Sequence, residues 1–172
     1  MNETPQQYKE RILKLMQGKD AVAVQRETVA RLSKLVDGVP ADRLATRPTP
    51  DKWSVSEILV HLAEAEISSF WRYRQMIEHN GEDIIPFDQD LWYKLGSYES
   101  RDPKESLQLF RMMRDANLSM FDKLTPEQWQ LGGVHTERGP MTVADLARQM
   151  AGHDINHVVQ VEKLVGRSAT SN

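Results

Sequence analysis

Residues 142–166 read TVADLARQMAGHDINHVVQVEKLVG. Leu146, Met150, His153, His157, Val161 and Leu164 recur at three- and four-residue steps, the period of one helix face. Thr142 opens the stretch and Gly166 closes it, so it predicts one long amphipathic helix with two histidines on its inner face. The same period extends outward. Gly and Pro cluster at Gly38–Pro50, Gly81–Pro86, Gly96–Pro103 and Gly132–Pro140, and the segments between are helical in pattern. Asp102-Pro103 opens a third helix, with Leu107, Phe110, Met113, Leu118, Phe121 and Leu124 on its stripe. Asn117 is polar where a four-residue step lands, so that stripe passes through Leu118. Ser54 and Glu57 form a capping box for a second helix running to about His79, with Val55, Ile58, Leu62, Ala65, Ser69, Tyr73 and Met76 on one face. A first stretch spans Thr4–Asp37 and breaks at Gly18; Val22, Val29, Leu32 and Val36 make its stripe. TPEQWQ, from Thr125, adds a short turn, and no segment alternates as a strand should.

The expected fold is therefore all-α, a four-helix bundle. About 22 residues join helices two and three, enough to cross the bundle's length and leave those helices parallel. Phe87, Trp92, Tyr93 and Tyr98 make this crossover one that packs over the bundle. Residues 1–19 are expected to be a helical arm that docks on the bundle or on a second subunit. Residues 20–166 are the bundle, and 167–172 a flexible tail.

Composition narrows the function. The chain has 172 residues and no cysteine, which excludes a disulfide framework, an iron–sulfur site and a cysteine nucleophile, and fits a cytoplasmic setting. With 22 Lys+Arg against 25 Asp+Glu the net charge is −3, no footprint for nucleic acid. Mean hydropathy is −0.57 and the longest apolar run is Ala21–Val24, so no membrane span is expected. MNETPQQYKE lacks a basic segment followed by an apolar core and does not read as a signal peptide.

The histidines carry the chemistry. His153 and His157 lie one turn apart on one face, about 6 Å between Cβ atoms. His61 shares the inner stripe of the second helix with Ile58, Leu62 and Ala65. Two imidazoles from one helix and one from another make a three-nitrogen set, the pattern of a reactive zinc or nickel site with open positions. The competing reading is three core histidines, each satisfied by a hydrogen bond, and spacing alone leaves both open. HDINH is not a zincin motif, because Asp154 replaces the longer glutamate and lies about 100° round the helix from His153. Asp154 reads as a packing residue, as an acceptor behind the ligands, or as solvated. Glu57, Glu64 and Gln149 are placed to accept the histidines' second N–H groups. His79 suits a helix C-terminus. His135 either approaches the open end of a metal site or is a loop residue, and the loop reading is preferred. No residue stands out as a general base.

RPTPDKWSVSEILVHLAEAE (47–66) and GGVHTERGPMTVADLARQMAGHDINHVVQVEKL (132–164) together resemble the DinB-like (YfiT-like) superfamily of helical bacterial proteins. The likeness rests on Trp53 with His61 eight residues on, on the late His153/His157 pair, and on the 92-residue interval from His61 to His153; it covers about residues 28–165. It implies an up-down-down-up bundle, a homodimer, and one divalent ion (nickel, zinc or manganese) on His61, His153 and His157. The activity implied is a metal-dependent hydrolase, or an S-transferase using a low-molecular-weight thiol, acting on a small molecule. In both, the ion lowers the pKa of its bound nucleophile; zinc brings water to about 7. The alternative is a non-catalytic metal- or ligand-binding bundle. Trp53 and Trp129 are expected as bundle-end anchors, Trp71 and Tyr73 in the core or an interface, and Arg72 and Arg74 on a solvated edge.

Overall fold

The computed structural model describes residues 3–167. In chain order these form α1 (Pro5–Leu15), α2 (Ala21–Val36), α3 (Ala41–Ala45), α4 (Val55–Glu78), β1 (Asp83–Ile84), α5 (Gln89–Leu95), α6 (Pro103–Phe121), α7 (Pro126–Trp129), β2 (Gly132–His135), β3 (Gly139–Thr142) and α8 (Val143–Val165). The long helices begin where the sequence places their caps. Ser54 and Glu57 satisfy each other's free N–H groups before α4, and Thr142 and Asp145 do so before α8. Asp20 and Asp102 cap α2 and α6.

Helices α2, α4, α6 and α8 make the bundle, and their cross-links give their directions. The Gln25 side chain donates to the Ala147 carbonyl (2.8 Å), and Arg167 donates to the Leu35 carbonyl (2.8 Å), so α2 and α8 run the same way. Glu66 pairs with Arg114 (2.8 Å) and Tyr73 packs on Phe121 (4.9 Å between ring centres), so α4 and α6 also run the same way. Arg26 meets Asp122 (2.7 Å) while Ser33 meets Arg111 (3.2 Å), which sets α2 against α6. The order is up-down-down-up, and the crossover between α4 and α6 is what permits it.

Two apolar clusters form the core. Leu32, Leu35, Ile58, Leu59, Leu62, Phe110 and Val161 fill one end. Tyr73, Met76, Phe121, Val143 and Leu146 fill the other. Each fully buried side chain of this kind contributes about 1.5–3 kcal/mol. Between the clusters, on α6 and α8, lies a buried polar belt: Arg114, Asn117, His153, Asp154 and His157.

The first helical stretch breaks at Gly18, and α1 lies along α8. A Cβ at Gly152 would come within 2.4 Å of the Ile12 carbonyl oxygen, so this backbone approach requires glycine. Ile12 and Met16 are fully buried as a result.

The structure corrects the all-α expectation. The chain is mostly helical, but a three-stranded sheet joins β1, β2 and β3, with β1 parallel to β2 and β2 antiparallel to β3. The strands hold two to four residues, too few for a two-residue period to show. Gly132, Gly133 and Pro140 are residues that normally mark loops. A tight turn at 136–138 joins β2 to β3, with Gly139 at φ +74°.

The crossover packs over the bundle: Tyr98 is buried and donates to Glu64 (2.5 Å). Of the expected tail, Arg167 is hydrogen-bonded to α2, and 168–172 lie outside the described residues. Among the described residues no helix is long and apolar enough to cross a membrane.

Candidate metal centre

The capping box fixes the start of α4, and two turns later His61 faces α8. There it meets His153 and His157. The ring centres lie 5.0 Å (61–153), 5.0 Å (61–157) and 4.4 Å (153–157) apart. One nitrogen from each ring falls within 4.8 Å of the others, and the rings are only 3, 9 and 7% exposed. The sequence-predicted trio is thus brought together at one point.

The nitrogens are arranged unlike those of ordinary core histidines. His61 Nε2 and His153 Nε2 stand 2.9 Å apart, while both Nδ1 atoms are buried with no partner. An unpaired buried polar atom costs about 1–3 kcal/mol. His157 Nδ1 bonds the Gln160 side chain (3.0 Å), which leaves its Nε2 for the cluster. Ligand nitrogens on a tetrahedral zinc sit roughly 3.3 Å apart, given Zn–N bonds of about 2.0–2.1 Å. The His61–His153 pair at 2.9 Å and a third nitrogen within 4.8 Å bracket that spacing, so the residues fit one divalent ion after small ring movements.

Burial keeps the rings neutral, the state a metal requires. It pushes His61 and His153 well below the ordinary histidine range, with neighbouring rings adding to the effect. It lowers His157 to about 4 against the opposing Gln160 bond. The unfolded rings titrate near 6.5. Folded pKa values lie below unfolded ones, so the unfolded chain binds more protons as pH falls. In metal-free protein this contribution is complete above about pH 6.5 and is lost toward pH 4. The melting temperature of metal-free protein should therefore fall as pH drops from about 6.5 to 4, and fall less in His157→Gln. A scan in which wild type and variant share one pH profile would contradict this.

The other sequence candidates separate. Glu57 and Glu64 do not serve the rings. Glu57 is bound by Arg47 and Tyr93, and Glu64 by Tyr98, partners that come from the segment before α4 and from the crossover after it. Gln149 Oε1 is buried, unpartnered and on the cavity wall, four residues before His153. Asp154 is fully buried against Arg114 (2.6 Å), not solvated. His79 ends α4 near Glu82 (3.6 Å). Trp53 stands beside the cluster, 5.0 Å from the His61 ring and stacked on Tyr93 at 6.0 Å. Trp129 packs on Phe121 (5.0 Å), Tyr73 is in the core, and Trp71 is exposed. Arg72 is not on a solvated edge; it is buried and bonds the Ile85 carbonyl (2.8 Å).

A cavity of about 140 Å³ opens beside His61 and His153, walled by Tyr8, Ile12, Ala65, Met150 and His135. Sequence preferred the loop reading of His135, but β2 carries it inward, where it is 2% exposed. It lies outside the three-ring cluster. Its Nδ1 accepts the Glu137 backbone N–H (3.2 Å), so the neutral ring keeps its proton on Nε2. A second opening beside His61 and His157 is lined by Tyr8, Trp53, Gln89 and Arg138.

Comparison with known proteins gives the family and the fold. The DinB superfamily model matches residues 25–161. The chain is 24% identical over 151 residues to "Putative metal-dependent hydrolase YfiT" of Bacillus subtilis (strain 168), covering 86% of this chain and 85% of that one. It is 25% identical over 147 residues to a "Putative metal-dependent hydrolase" of Geobacillus thermodenitrificans (strain NG80-2), covering 85 and 83%. The solved structure of Bacillus subtilis YfiT, described as a probable metal-dependent hydrolase with an unusual four-helix bundle topology, superposes with a TM-score of 0.77. It is 20% identical, over 97% of this chain and 92% of that one. A mycothiol-dependent maleylpyruvate isomerase shares the fold at a TM-score of 0.67 and 9% identity. This chain spans 82% of its own length and 59% of the isomerase.

Proposed function

Because the chain belongs to the DinB superfamily, we propose that it is a metal-dependent hydrolase whose divalent ion is held by His61, His153 and His157. The observation that carries this reading is the convergence of three neutral imidazoles, two of them with orphaned buried Nδ1 atoms, beside an open cavity. The metal-dependent hydrolase names of its relatives support it. Three protein nitrogens leave coordination positions free, the pattern of reactive rather than structural sites. When bound, the ion supplies a Lewis acid that activates a nucleophile and polarises a carbonyl.

The chain's own residues do the rest. Gln160 fixes the His157 tautomer and ring orientation. Trp53 packs beside the His61 ring and lines the opening next to it. His135, with its proton on Nε2, offers a hydrogen bond to an oxygen atom in the cavity. The cavity's small volume suits a short substrate.

The test is turnover of an activated-ester panel by the metal-loaded protein. Hydrolysis should vanish with chelator and return on adding the ion. Thiol conjugates belong in the same panel, because a thiol S-transferase with this metal set would act on those instead; the chain supplies no thiol of its own. A bound ion with no turnover on either set, and a large fall in melting temperature on chelation, would mark a non-catalytic binding protein.

A further inference from the structure

The cavity beside the histidine cluster holds charge that the metal reading does not use. Arg72, on α4, is 8% exposed, and its guanidinium carbon lies 5.5 Å from the centre of the Phe87 ring. Among the described residues its one hydrogen bond goes to a backbone carbonyl, that of Ile85. Arg138, on the turn between β2 and β3, lines this cavity and the adjoining opening. Neither arginine has a carboxylate within ion-pair distance among the described residues. The contrast with Arg114, equally deep in the fold, is direct: Arg114 holds two carboxylates.

A buried cation without a counter-ion, as Arg72 is, is expensive, and the half-buried Arg138 charge beside it adds to the cost. Burial lowers Arg72 to about 10, and the Arg138 charge pushes the same way. His135 is lowered by burial and by both arginines. Glu137 is the one acidic side chain on the cavity wall. Two arginines against one glutamate leave the wall with one excess formal positive charge before any metal ion is counted. The rest of the lining mixes apolar side chains, among them Ile12, Ala65, Leu146 and Met150, with the polar Ser69, Gln89 and Gln149.

We propose that Arg72 and Arg138 form a carboxylate subsite, so that the protein takes small monoanionic substrates. The carboxylate sits on the guanidiniums and the bond to be cleaved lies at the three histidines. The planar fork of arginine matches a carboxylate through two parallel hydrogen bonds. In the metal-free protein a single carboxylate also balances the single excess charge, which a phosphate dianion exceeds. The apolar lining covers the short carbon chain between the two ends. The substrate class rests on the hydrolase reading above; the anion subsite itself does not.

The experiment separates the two. Metal-free protein at pH 7.5 is titrated calorimetrically with succinamate, with its neutral analogue succinamide, and with inorganic phosphate. Succinamate should bind at least tenfold more tightly than succinamide and more tightly than phosphate. Arg138→Gln, on a surface turn, should bring the succinamate-to-succinamide ratio close to one while nickel uptake by the variant stays that of wild type. Arg72→Lys keeps the charge without the fork and should lose part of the preference. Equal binding of the two amides, tighter binding of phosphate, or an unchanged ratio in Arg138→Gln would overturn the subsite. Preference for succinamate with no ester turnover by the loaded protein would sustain the subsite and remove the hydrolase.

Discussion

Arg114→Met is expected to destabilise the protein by about 3–5 kcal/mol, read from urea unfolding of metal-free protein. Arg114 is fully buried on α6 and reaches both Glu66 on α4 (2.8 Å) and Asp154 on α8 (2.6 Å). It also donates to the Gln25 carbonyl of α2 (2.9 Å), so one side chain ties all four bundle helices. Burial works against its charge, but the two carboxylates outweigh this and push its pKa up. Burial likewise pushes Asp154 up, with Arg114 pulling the other way. Removing the cation leaves two carboxylates in the core, and the cost is that of uncompensated charge, not of a lost contact. Replacing the carboxylates as well, with Glu66→Met and Asp154→Leu added to Arg114→Met, should recover most of the loss. A single variant that costs less than about 1 kcal/mol would contradict the reading of a charge-balanced belt. The belt also has a positional effect. Asp154 follows His153 directly, so its anchorage to Arg114 sets the rotation of α8 that turns His153 and His157 toward α4.

His153→Ala is expected to weaken binding of a divalent ion by at least a hundredfold. Loss of a hydrogen bond behind a metal ligand alone costs about 10–100-fold, and loss of the ligand removes more. The measurement is competition against a chelator of known affinity. Helix content of the metal-free variant should be that of wild type, because the ring's one close polar contact is with His61 and no helix cap depends on it. Wild-type affinity in the variant would remove His153 from the site.

The helices and the histidine trio were readable because both are written in local periodicity. His153 and His157 share a face through a four-residue step, and His61 lies on a stripe whose other members are all buried. Arg114 and Asn117 were not readable as a buried network. The stripe of α6 can be drawn through Phe110, Met113, Leu118 and Phe121 without them. Their partners Glu66 and Asp154 come from other helices, 48 and 40 residues away from Arg114. The signal present was that two polar residues interrupt the inner face of α6 at a three-residue step. Glu57 and Glu64 have the correct helix phase to back the histidines, yet Arg47, Tyr93 and Tyr98 claim them from connecting segments whose paths no period encodes. His135 was read as a loop residue because β2 is four residues long and half of it is glycine. Arg72 follows the exposed Trp71 in sequence, and only the position of Ile85 and Phe87 makes it an inward residue.

The direct test of the three-imidazole centre is elemental analysis of protein purified without chelator, followed by titration of the stripped protein with zinc and nickel. One divalent ion per chain, either retained or taken up, is the predicted result. Protein that carries no stoichiometric ion and binds none on addition would leave the three rings as core histidines and the proposed chemistry without a centre.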